Sequence, residues 1–236
     1  MKPIDIALDA PLLLGGITYY HSWDYTSLPH MLVFGSTGSG KTYFVRLLLA
    51  RISLYLSDAS VTLCDFKADD FKFCRGLPNY YEFTNCADGL QRFYDEFEQR
   101  QRGQDMSRSF KLLLFDEWAS FLNMLDKKNA EATRTKLSTL LMLGRSFNVH
   151  VLISQQRADA DYFAKSRDNF SIVIGLGNIS KESAAMFNFD RNNMTTVMGR
   201  GYGYMLSSGT NMKAIKVPTV RDHMKVERYI RKVVSQ

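Results

Sequence analysis

Residues 35–42 read Gly-Ser-Thr-Gly-Ser-Gly-Lys-Thr, and they are the strongest indication of the fold in the sequence. It is a complete G-x-x-x-x-G-K-[ST] motif, a loop whose backbone amides enclose phosphate groups. The apolar run Met31–Phe34 precedes it, and Tyr43–Leu56 follows it with apolar residues spaced for one helical face. Because strand, loop and helix occur in the required order, the motif predicts a P-loop nucleotide-binding fold rather than a chance glycine-rich turn.

Each residue type in this loop has a chemical role. Its glycines let backbone amides approach phosphate oxygens, because glycine has no Cβ. Lys41 is expected to reach the β- and γ-phosphates, and the Thr42 hydroxyl is expected to bind Mg²⁺. The predicted nucleotide-binding residues are the whole loop: Gly35, Ser36, Thr37, Gly38, Ser39, Gly40, Lys41 and Thr42. The predicted cofactors are therefore ATP and Mg²⁺.

An acidic pair completes the predicted catalytic centre. The apolar strand Lys111–Phe115 ends in Asp116 and Glu117. We expect Asp116 to complete the Mg²⁺ shell and Glu117 to polarise the attacking water. A later strand, Val149–Ser154, runs into Gln155-Gln156-Arg157, and a polar side chain at that strand tip can sense the γ-phosphate. A glutamate beside the metal-binding aspartate favours a nucleotide hydrolase over a small-molecule kinase, for which the sequence offers no lid or acceptor site.

Apolar runs alternate with helical stretches along the chain. The predicted strands are Met31–Phe34, Val61–Cys64, Leu112–Phe115, Val149–Ile153 and Ile172–Ile174, and the predicted helices are Thr42–Leu56, Gly89–Arg102 and Thr133–Leu143. Strands that are apolar throughout and separated by helices predict an α/β fold, with a mainly parallel central sheet flanked by helices. A late β-hairpin is expected from Gly201–Ser207 and Ala214–Val217, followed by a helix from an Asp222 cap to Val234.

Length and composition set further bounds. The 236 residues fit one domain, with residues 1–30 supplying the first strands and residues 31–236 the ATPase core. A net charge of +6 favours a polyanionic partner without proving one. Three cysteines without a C-x-x-C pair argue against disulfides and zinc, and predict a reduced, cytoplasmic compartment. Because no apolar run approaches about 18 residues, membrane insertion is not expected.

Further motifs resemble the motor domain of the FtsK/SpoIIIE family of DNA translocases, within the FtsK–HerA group. The similar segments are Pro29–Val33, Asp65-Phe66-Lys67, Gly76-Leu77-Pro78, Asp116–Ala119, Gly144-Arg145 through His150, Gln156-Arg157, Gly203–Leu206 and Val220–Asp222. They keep the family's order and span nearly the whole chain. Phe66 and Ala158 stand where the family has proline, and Ile172 stands where it has arginine. The resemblance implies a RecA-like fold.

The resemblance also implies an assembly and roles for matched residues. It implies a homo-hexameric ring with ATP sites between subunits and double-stranded DNA in the pore. Arg145 would reach the γ-phosphate of the neighbouring subunit, and Gln156 would be the sensor glutamine. Two basic loops are expected to bind DNA phosphates without reading bases; they contain Arg100, Arg102 and Arg108 in one loop and Lys127 and Lys128 in the other.

The predicted function is ATP-driven, sequence-indifferent translocation of double-stranded DNA. The family's membrane segments, accessory domain and winged helix have no counterpart in these residues, which suits a motor of a plasmid, phage or other mobile element. Two alternatives are a conjugative-type coupling ATPase and a nucleotide-gated adaptor that assembles on DNA or an initiator without sustained movement. Glu117 and Arg145 favour turnover over a pure switch. A recruiting protein partner is also expected.

Overall fold

The order of helices and strands follows the alternation in the sequence. The computed structural model of the chain describes residues 3–163, 166–194 and 199–236. The elements up to the acidic pair are β1 (Ile4–Asp9), α1 (Ala10–Leu14), β2 (Tyr20–Trp23), β3 (His30–Gly35), α2 (Lys41–Tyr55), β4 (Ser60–Asp65), β5 (Tyr80–Glu82), α3 (Cys86–Gln101) and β6 (Lys111–Asp116). The later ones are α4 (Trp118–Met124), α5 (Lys127–Leu143), β7 (Val149–Gln155), β8 (Ile172–Leu176), α6 (Lys181–Met186), β9 (Tyr202–Ser207), β10 (Asn211–Lys216) and α7 (His223–Val234).

The ten strands of the described residues form one sheet. Their order is β2-β1-β10-β9-β8-β3-β7-β6-β4-β5. The strands from β8 to β5 run parallel to one another, and β9, β10, β1 and β2 extend the sheet antiparallel. The predicted α/β fold with a mainly parallel sheet and a late hairpin is confirmed.

Helices cover both faces of this sheet. Along β6, Leu112 and Leu114 pack in the cluster that contains the inner sides of α2 and α7. The alternating residues Leu113 and Phe115 pack in the second cluster, with residues of α3, α4 and α5. Because successive side chains point to opposite faces of a strand, a strand covered on both faces must be apolar at every position. This explains the continuous apolar runs in the sequence.

Several element boundaries differ from the prediction, and those of β10 and α5 have clear physical reasons. Strand β10 begins at Asn211 instead of Ala214, since Asn211 pairs with Ser207 across the turn. Asn211 and Lys213 are polar and exposed, so the start of this strand gives little apolar signal. Helix α5 begins at Lys127 instead of Thr133, because Asp126 caps it by accepting a hydrogen bond from the amide of Asn129 at 3.0 Å.

The final helix is confirmed as predicted. Asp222 caps α7 by accepting a hydrogen bond from the amide of Lys225 at 2.9 Å, and the helix ends at Val234. Its buried residues pack against α2 in the first cluster. Among the described residues, none of the helices combines the length and the apolar character that crossing a bilayer requires.

The parallel strands place their carboxyl ends at one edge of the sheet, which we call the carboxyl edge. Asp65 at the end of β4 is in register with Asp116 at the end of β6. Asp116 is in turn in register with Ser154 near the end of β7, and Ser154 with Val33 near the end of β3. The phosphate loop and the acidic pair are therefore neighbours in space, although 75 residues separate Lys41 from Asp116 in the sequence.

Two buried histidines lie at the opposite edge, called here the amino edge. His30, at the start of β3, accepts a hydrogen bond through Nδ1 from the amide of Val151 at 3.1 Å. His150 stacks on Phe110 with ring centroids 4.5 Å apart, and its Nδ1 donates to the carbonyl of Pro29 at 3.0 Å. Burial lowers the pKa of His30 to about 3 and that of His150 to about 4.

These histidines predict a loss of stability on acidification. In the unfolded chain they take up protons near pH 6.5, whereas in the folded chain they stay neutral down to about pH 4. Since the unfolded state then binds more protons, we expect the free energy of unfolding to fall by about 2 kcal/mol per histidine between pH 7.5 and pH 5. Urea unfolding at the two pH values measures it.

A matched variant assigns this loss to the histidines. His150→Phe keeps the aromatic stacking and removes one titrating group, so the histidine-dependent part of the loss should fall by about half. An equal loss in the variant and the unsubstituted chain would contradict the assignment.

Candidate functional site

The phosphate loop is held by a segment that lies far along the chain. Between β3 and α2 the backbone turns with Gly40 at a φ of 108°, a left-handed conformation that favours glycine. A Cβ at Gly40 would lie 3.3 Å from the Cα of Gly201, just before β9. The amide of Gly201 donates to the carbonyl of Ser39 at 2.8 Å. The loop is thus packed against the start of β9, which the sequence did not predict.

A polar cavity of about 340 Å³ opens beside this loop, and we call it the phosphate cavity. It brings together the loop residues, the acidic pair and several residues that the motifs did not single out. Its lining is Thr37, Gly38, Gly40, Lys41, Thr42, Tyr43, Arg46, Lys67, Asp70, Asp116, Glu117 and Arg200. Cations and carboxylates from distant parts of the chain therefore converge on one concave surface.

Lys41 is folded into the curve of the loop. Its Nζ donates to the carbonyl of Gly35 at 2.7 Å and to that of Ser36 at 3.4 Å. The residue is only 8% exposed, and burial lowers the pKa of its ammonium group. An ammonium held in this way lies where anionic oxygens enclosed by the loop would replace the carbonyls as partners.

Thr42 and a nearby aspartate form a contact that the sequence analysis missed. The Thr42 hydroxyl donates to Oδ2 of Asp70 at 3.2 Å. Arg46, on the next turn of α2, donates to the backbone carbonyl of Asp70. Asp70 follows the Asp65-Phe66-Lys67 segment by three residues, and that segment was the available signal for it.

Asp116 is a buried carboxylate with an unsatisfied oxygen. The residue is 4% exposed, and its Oδ2 has no hydrogen-bond partner among the described residues. Burial raises the pKa of Asp116 to about 7, because the ionised form is poorly solvated there. A divalent cation would offset this penalty, and carboxylate and hydroxyl oxygens are the ligands that Mg²⁺ prefers. Asp116 and Thr42 therefore fit a bound Mg²⁺.

Glu117 is held at the mouth of the same cavity. Its backbone adopts a left-handed conformation, with φ 59° and ψ 45°. The amide of Glu117 donates to the carbonyl of Ser154 at 2.7 Å, which joins this turn to β7. The carboxylate is 5% exposed, and Oε1 lies 3.0 Å from Nζ of Lys67. Strained conformations of this kind concentrate at functional sites.

Gln156 lies one residue beyond β7, at the carboxyl edge, and is exposed. The cavity lining in the described part of the chain does not include it. Its neighbour Gln155 is buried and donates through Nε2 to the carbonyl of Arg157 at 2.6 Å. The sensor role of Gln156 remains a prediction.

Arg145 lies at the amino edge, away from the phosphate loop of its own chain. It is exposed, and its Nε donates to the carbonyl of Thr26 at 2.9 Å. The seven residues of β7 separate the two edges by roughly 20 Å. Arg145 therefore cannot contact a phosphate bound by the same subunit.

The prediction that Arg100 binds DNA is wrong. Its side chain is 0% exposed. Nε pairs with Asp105 at 2.9 Å, and Nη1 donates to the carbonyls of Ser109 at 2.9 Å and Phe147 at 2.8 Å. These bonds tie the end of α3 to the segments that enter β6 and β7. The guanidinium is fully used within the fold, because a buried cation must be paired and hydrogen-bonded.

The other two arginines of that loop stay on the surface. Arg102 pairs with Glu98 one turn earlier, with 2.8 Å between Nη2 and Oε2. Arg108 lies over the ring of Phe147, 5.6 Å from its centroid. Both arginines lie at the amino edge, close to the start of β6.

The prediction placed Lys127 and Lys128 in a loop, but the structure places them in a helix. They form the first turn of α5 and are exposed. This helix runs back from the end of α4, near the carboxyl edge, to the start of β7, over roughly 25 Å. The two predicted basic groups therefore lie at opposite edges of the sheet.

A phosphate loop, a buried Asp-Glu pair at the adjacent strand end and a mainly parallel sheet define a P-loop ATPase of RecA-like fold. Residues 9–174 match the FtsK/SpoIIIE family. The chain belongs to this family and carries its ATPase motor domain.

Two proteins of Bacillus subtilis (strain 168) are similar in sequence. The "Ftsk domain-containing protein YdcQ" is 32% identical over 182 residues, which cover 70% of this chain and 38% of that protein. The "ESX secretion system protein YukB" is 24% identical over 221 residues, covering 79% of this chain and 14% of YukB. The chain therefore spans less than two fifths of either relative.

Solved structures share the fold at low sequence identity. The pCW3 conjugation coupling protein TcpA, in a monomer form with ATPγS, has a TM-score of 0.74 and 17% identity, over 98% of this chain and 71% of TcpA. ATPases 2 and 3 of EssC from Geobacillus thermodenitrificans have a TM-score of 0.71 and 16% identity, over 98% of this chain and 48% of theirs. These similarities support the RecA-like fold predicted from the sequence.

Proposed function

We propose that the chain hydrolyses ATP and uses the free energy to move double-stranded DNA without regard to sequence. The observation that carries the proposal is the position of Glu117. Glu117 directly follows the buried Asp116 and lines the phosphate cavity together with Lys41 of the phosphate loop. A pure nucleotide switch does not need a base in this position, whereas hydrolysis does.

A second cavity supports ATP as the substrate. It has a volume of about 390 Å³ and shares Gly40, Tyr43 and Arg200 with the phosphate cavity. Its other walls combine the aliphatic side chains of Val217 and Val220 and the ring of His223 with Gly201, Lys216 and Thr219. A nucleoside in this cavity would extend its phosphates past Gly40 toward Lys41. The pair of cavities thus fits a complete nucleoside triphosphate.

The roles proposed for the catalytic residues follow from these positions. The loop amides and Lys41 bind the phosphates, and the cation charge offsets the negative charge that develops during transfer. Glu117 orients a water and accepts its proton. Thr42 and Asp116 would hold Mg²⁺, which supplies additional positive charge to the phosphate oxygens when bound. Gln156, at the adjacent strand end, would sense the γ-phosphate.

The location of Arg145 supports a shared site between subunits. An exposed arginine at the amino edge is useless to its own phosphate cavity but is available to the cavity of a neighbour. A head-to-tail contact between these two edges is heterologous, and such contacts close into rings when the rotation permits. We therefore keep the proposal of a homo-hexamer in which Arg145 acts on the neighbouring γ-phosphate.

The basic residues support DNA as the polyanionic partner. Lys127 and Lys128 begin α5, and Arg108 lies near its other end. A duplex lying along this helix would meet positive charge at both edges of the sheet. Contacts of this kind bind phosphates and carry no base sequence information. We propose that such a motor acts in the cytoplasm and that a recruiting protein gives it its cargo.

Turnover and movement are expected to depend on Glu117. Long duplex DNA should stimulate the ATPase, and the chain should displace a third strand from a triplex in the presence of ATP. Glu117→Gln should retain Mg-ATP and lose turnover by about 100-fold or more, because the base is missing while the phosphate contacts remain. Lys41→Ala should lose nucleotide binding itself. Filter binding, phosphate release and triplex displacement measure the three properties.

These outcomes separate the alternatives. Tight binding of ATP and DNA with slow turnover and no displacement would favour the adaptor. Stimulation by single-stranded DNA in preference to duplex would favour a coupling ATPase.

Neutralising the start of α5 should weaken DNA binding in a salt-dependent way. We expect Lys127→Ala combined with Lys128→Ala to reduce the slope of log K against log salt by about 2, roughly 0.9 for each lost phosphate contact. Fluorescence anisotropy with a labelled duplex at several salt concentrations measures the slope. Lys225→Ala with Lys232→Ala, on α7, removes the same charge from the other face and is the matched control. Equal slopes for the two variants would contradict this DNA path.

Mixed assemblies test whether Arg145 acts across an interface. Arg145→Ala and Lys41→Ala should each inactivate the ATPase. When the two variants are mixed, some interfaces contain an intact Arg145 beside an intact Lys41, so part of the activity should return. Phosphate release against mixing ratio gives the readout. Absence of recovery, with mixed complexes verified by differential tags, would count against a shared site.

A further inference from the structure

Lys67 is a charged residue of the phosphate cavity to which the proposed mechanism gives no role. Its Nζ lies 3.0 Å from Oε1 of Glu117. The Glu117 side chain is 5% exposed, while that of Lys67 is 44% exposed. A carboxylate this deeply buried needs a compensating charge or hydrogen bond, and Lys67 supplies both. The pair joins the end of β4 to the turn after β6.

The turn that carries Lys67 is held from below by Asp65. Oδ1 of Asp65 accepts a hydrogen bond from the amide of Ala68 at 3.1 Å, and Oδ2 accepts one from the amide of Phe71 at 3.0 Å. Arg75 donates to the carbonyl of Ala68 at 2.9 Å. Ala68 itself has a φ of 59°, which these contacts hold in place. These hydrogen bonds therefore fix the backbone conformation of the turn that carries Lys67.

Phe66 fastens the same turn to the helix that follows Glu117. Its ring stacks on Phe83, with centroids 5.4 Å apart, and meets Phe121 of α4 edge-on at 5.8 Å. The amide of Phe121 donates to the carbonyl of Glu117 at 3.1 Å. The backbones that carry Lys67 and Glu117 are thus joined by an aromatic contact as well as by the ion pair. The ammonium and the carboxylate are held face to face.

We propose that Lys67 is the positioning residue for Glu117. Its ammonium holds the carboxylate in the orientation that faces a water at the phosphate cavity, and Lys41 remains the phosphate ligand. The inference rests on the proposed hydrolysis and adds that the orientation of Glu117 depends on β4. A base displaced by even about 1 Å costs on the order of 100-fold in rate. Lys67 therefore acts on the catalytic step more than on ATP binding.

The test is Lys67→Met, which keeps the length of the side chain and removes its charge. We expect kcat to fall about 10- to 100-fold, with the Kd for Mg-ATP changed by less than about threefold. Lys67→Arg should recover a large part of kcat, because it restores a cation at this point. Lys72→Met is the matched control: Lys72 is 65% exposed on the surface near the same turn and pairs with Asp69 at 3.2 Å. It should leave both constants unchanged.

A double-mutant cycle separates positioning from direct phosphate binding. In a Glu117→Gln background, Lys67→Met should cause little further loss in the single-turnover rate, since the two changes remove one unit. Additive losses, or a Kd for Mg-ATP raised tenfold or more, would show that Lys67 binds the phosphates and would overturn the inference.

Thermal unfolding of Lys67→Met and turnover by the unsubstituted chain distinguish a positioning role from a structural one. We expect the midpoint of Lys67→Met to fall by a few degrees with ATP binding retained, because the buried Glu117 carboxylate loses its partner. A larger drop accompanied by loss of ATP binding would make Lys67 structural and overturn its positioning role. Normal turnover by the unsubstituted chain with normal kcat in Lys67→Met would overturn this inference and leave the proposed function intact. An unsubstituted chain that never hydrolyses ATP would overturn both.

Discussion

The parallel alignment of β3, β4, β6 and β7 is the constraint on which the site depends. Parallel strands end at the same edge of a sheet. The phosphate loop after β3 and the acids after β6 therefore lie close together because of the strand alignment alone. The register places Asp65, Asp116 and Ser154 in one row. Any change in strand order would scatter these groups, and with them the cation and carboxylate pairs of the cavity.

Charge balance at this edge explains many of the local contacts. Asp116, Glu117 and Asp70 gather negative charge in a poorly solvated place, and Lys41 and Lys67 offset part of it. One oxygen of the Asp116 carboxylate has no hydrogen-bond partner among the described residues. Burial of this carboxylate raises its pKa. Such an arrangement is unfavourable by itself and becomes favourable when a cation and a phosphate chain complete it. Binding of a metal and a nucleotide at this site would therefore stabilise the folded chain.

In the proposed assembly, the two edges of the sheet would divide the chemistry between subunits. Binding residues gather at the carboxyl edge, while Arg145 lies at the amino edge, roughly one strand length away. Hydrolysis in such a design depends on a neighbouring copy, so it is linked to assembly. The basic residues are divided in the same way, since Lys127 and Lys128 lie near one edge and Arg102 and Arg108 near the other.

The residues alone are sufficient to predict the phosphate loop, the alternation of apolar strands and helices, the Asp116–Glu117 pair and the Asp222 cap. Each is a local pattern whose physics acts within a few residues. Only the tertiary structure decided that Arg100 is buried, that Gly201 packs on the loop, and that Asp70 and Lys67 join the cavity. The contacts of Thr42 with Asp70, Arg100 with Phe147 and Ser39 with Gly201 span 28, 47 and 162 residues. The sequence does not distinguish a charged residue that faces solvent from one that pairs with a buried partner. Tertiary packing determines which of these environments the residue has.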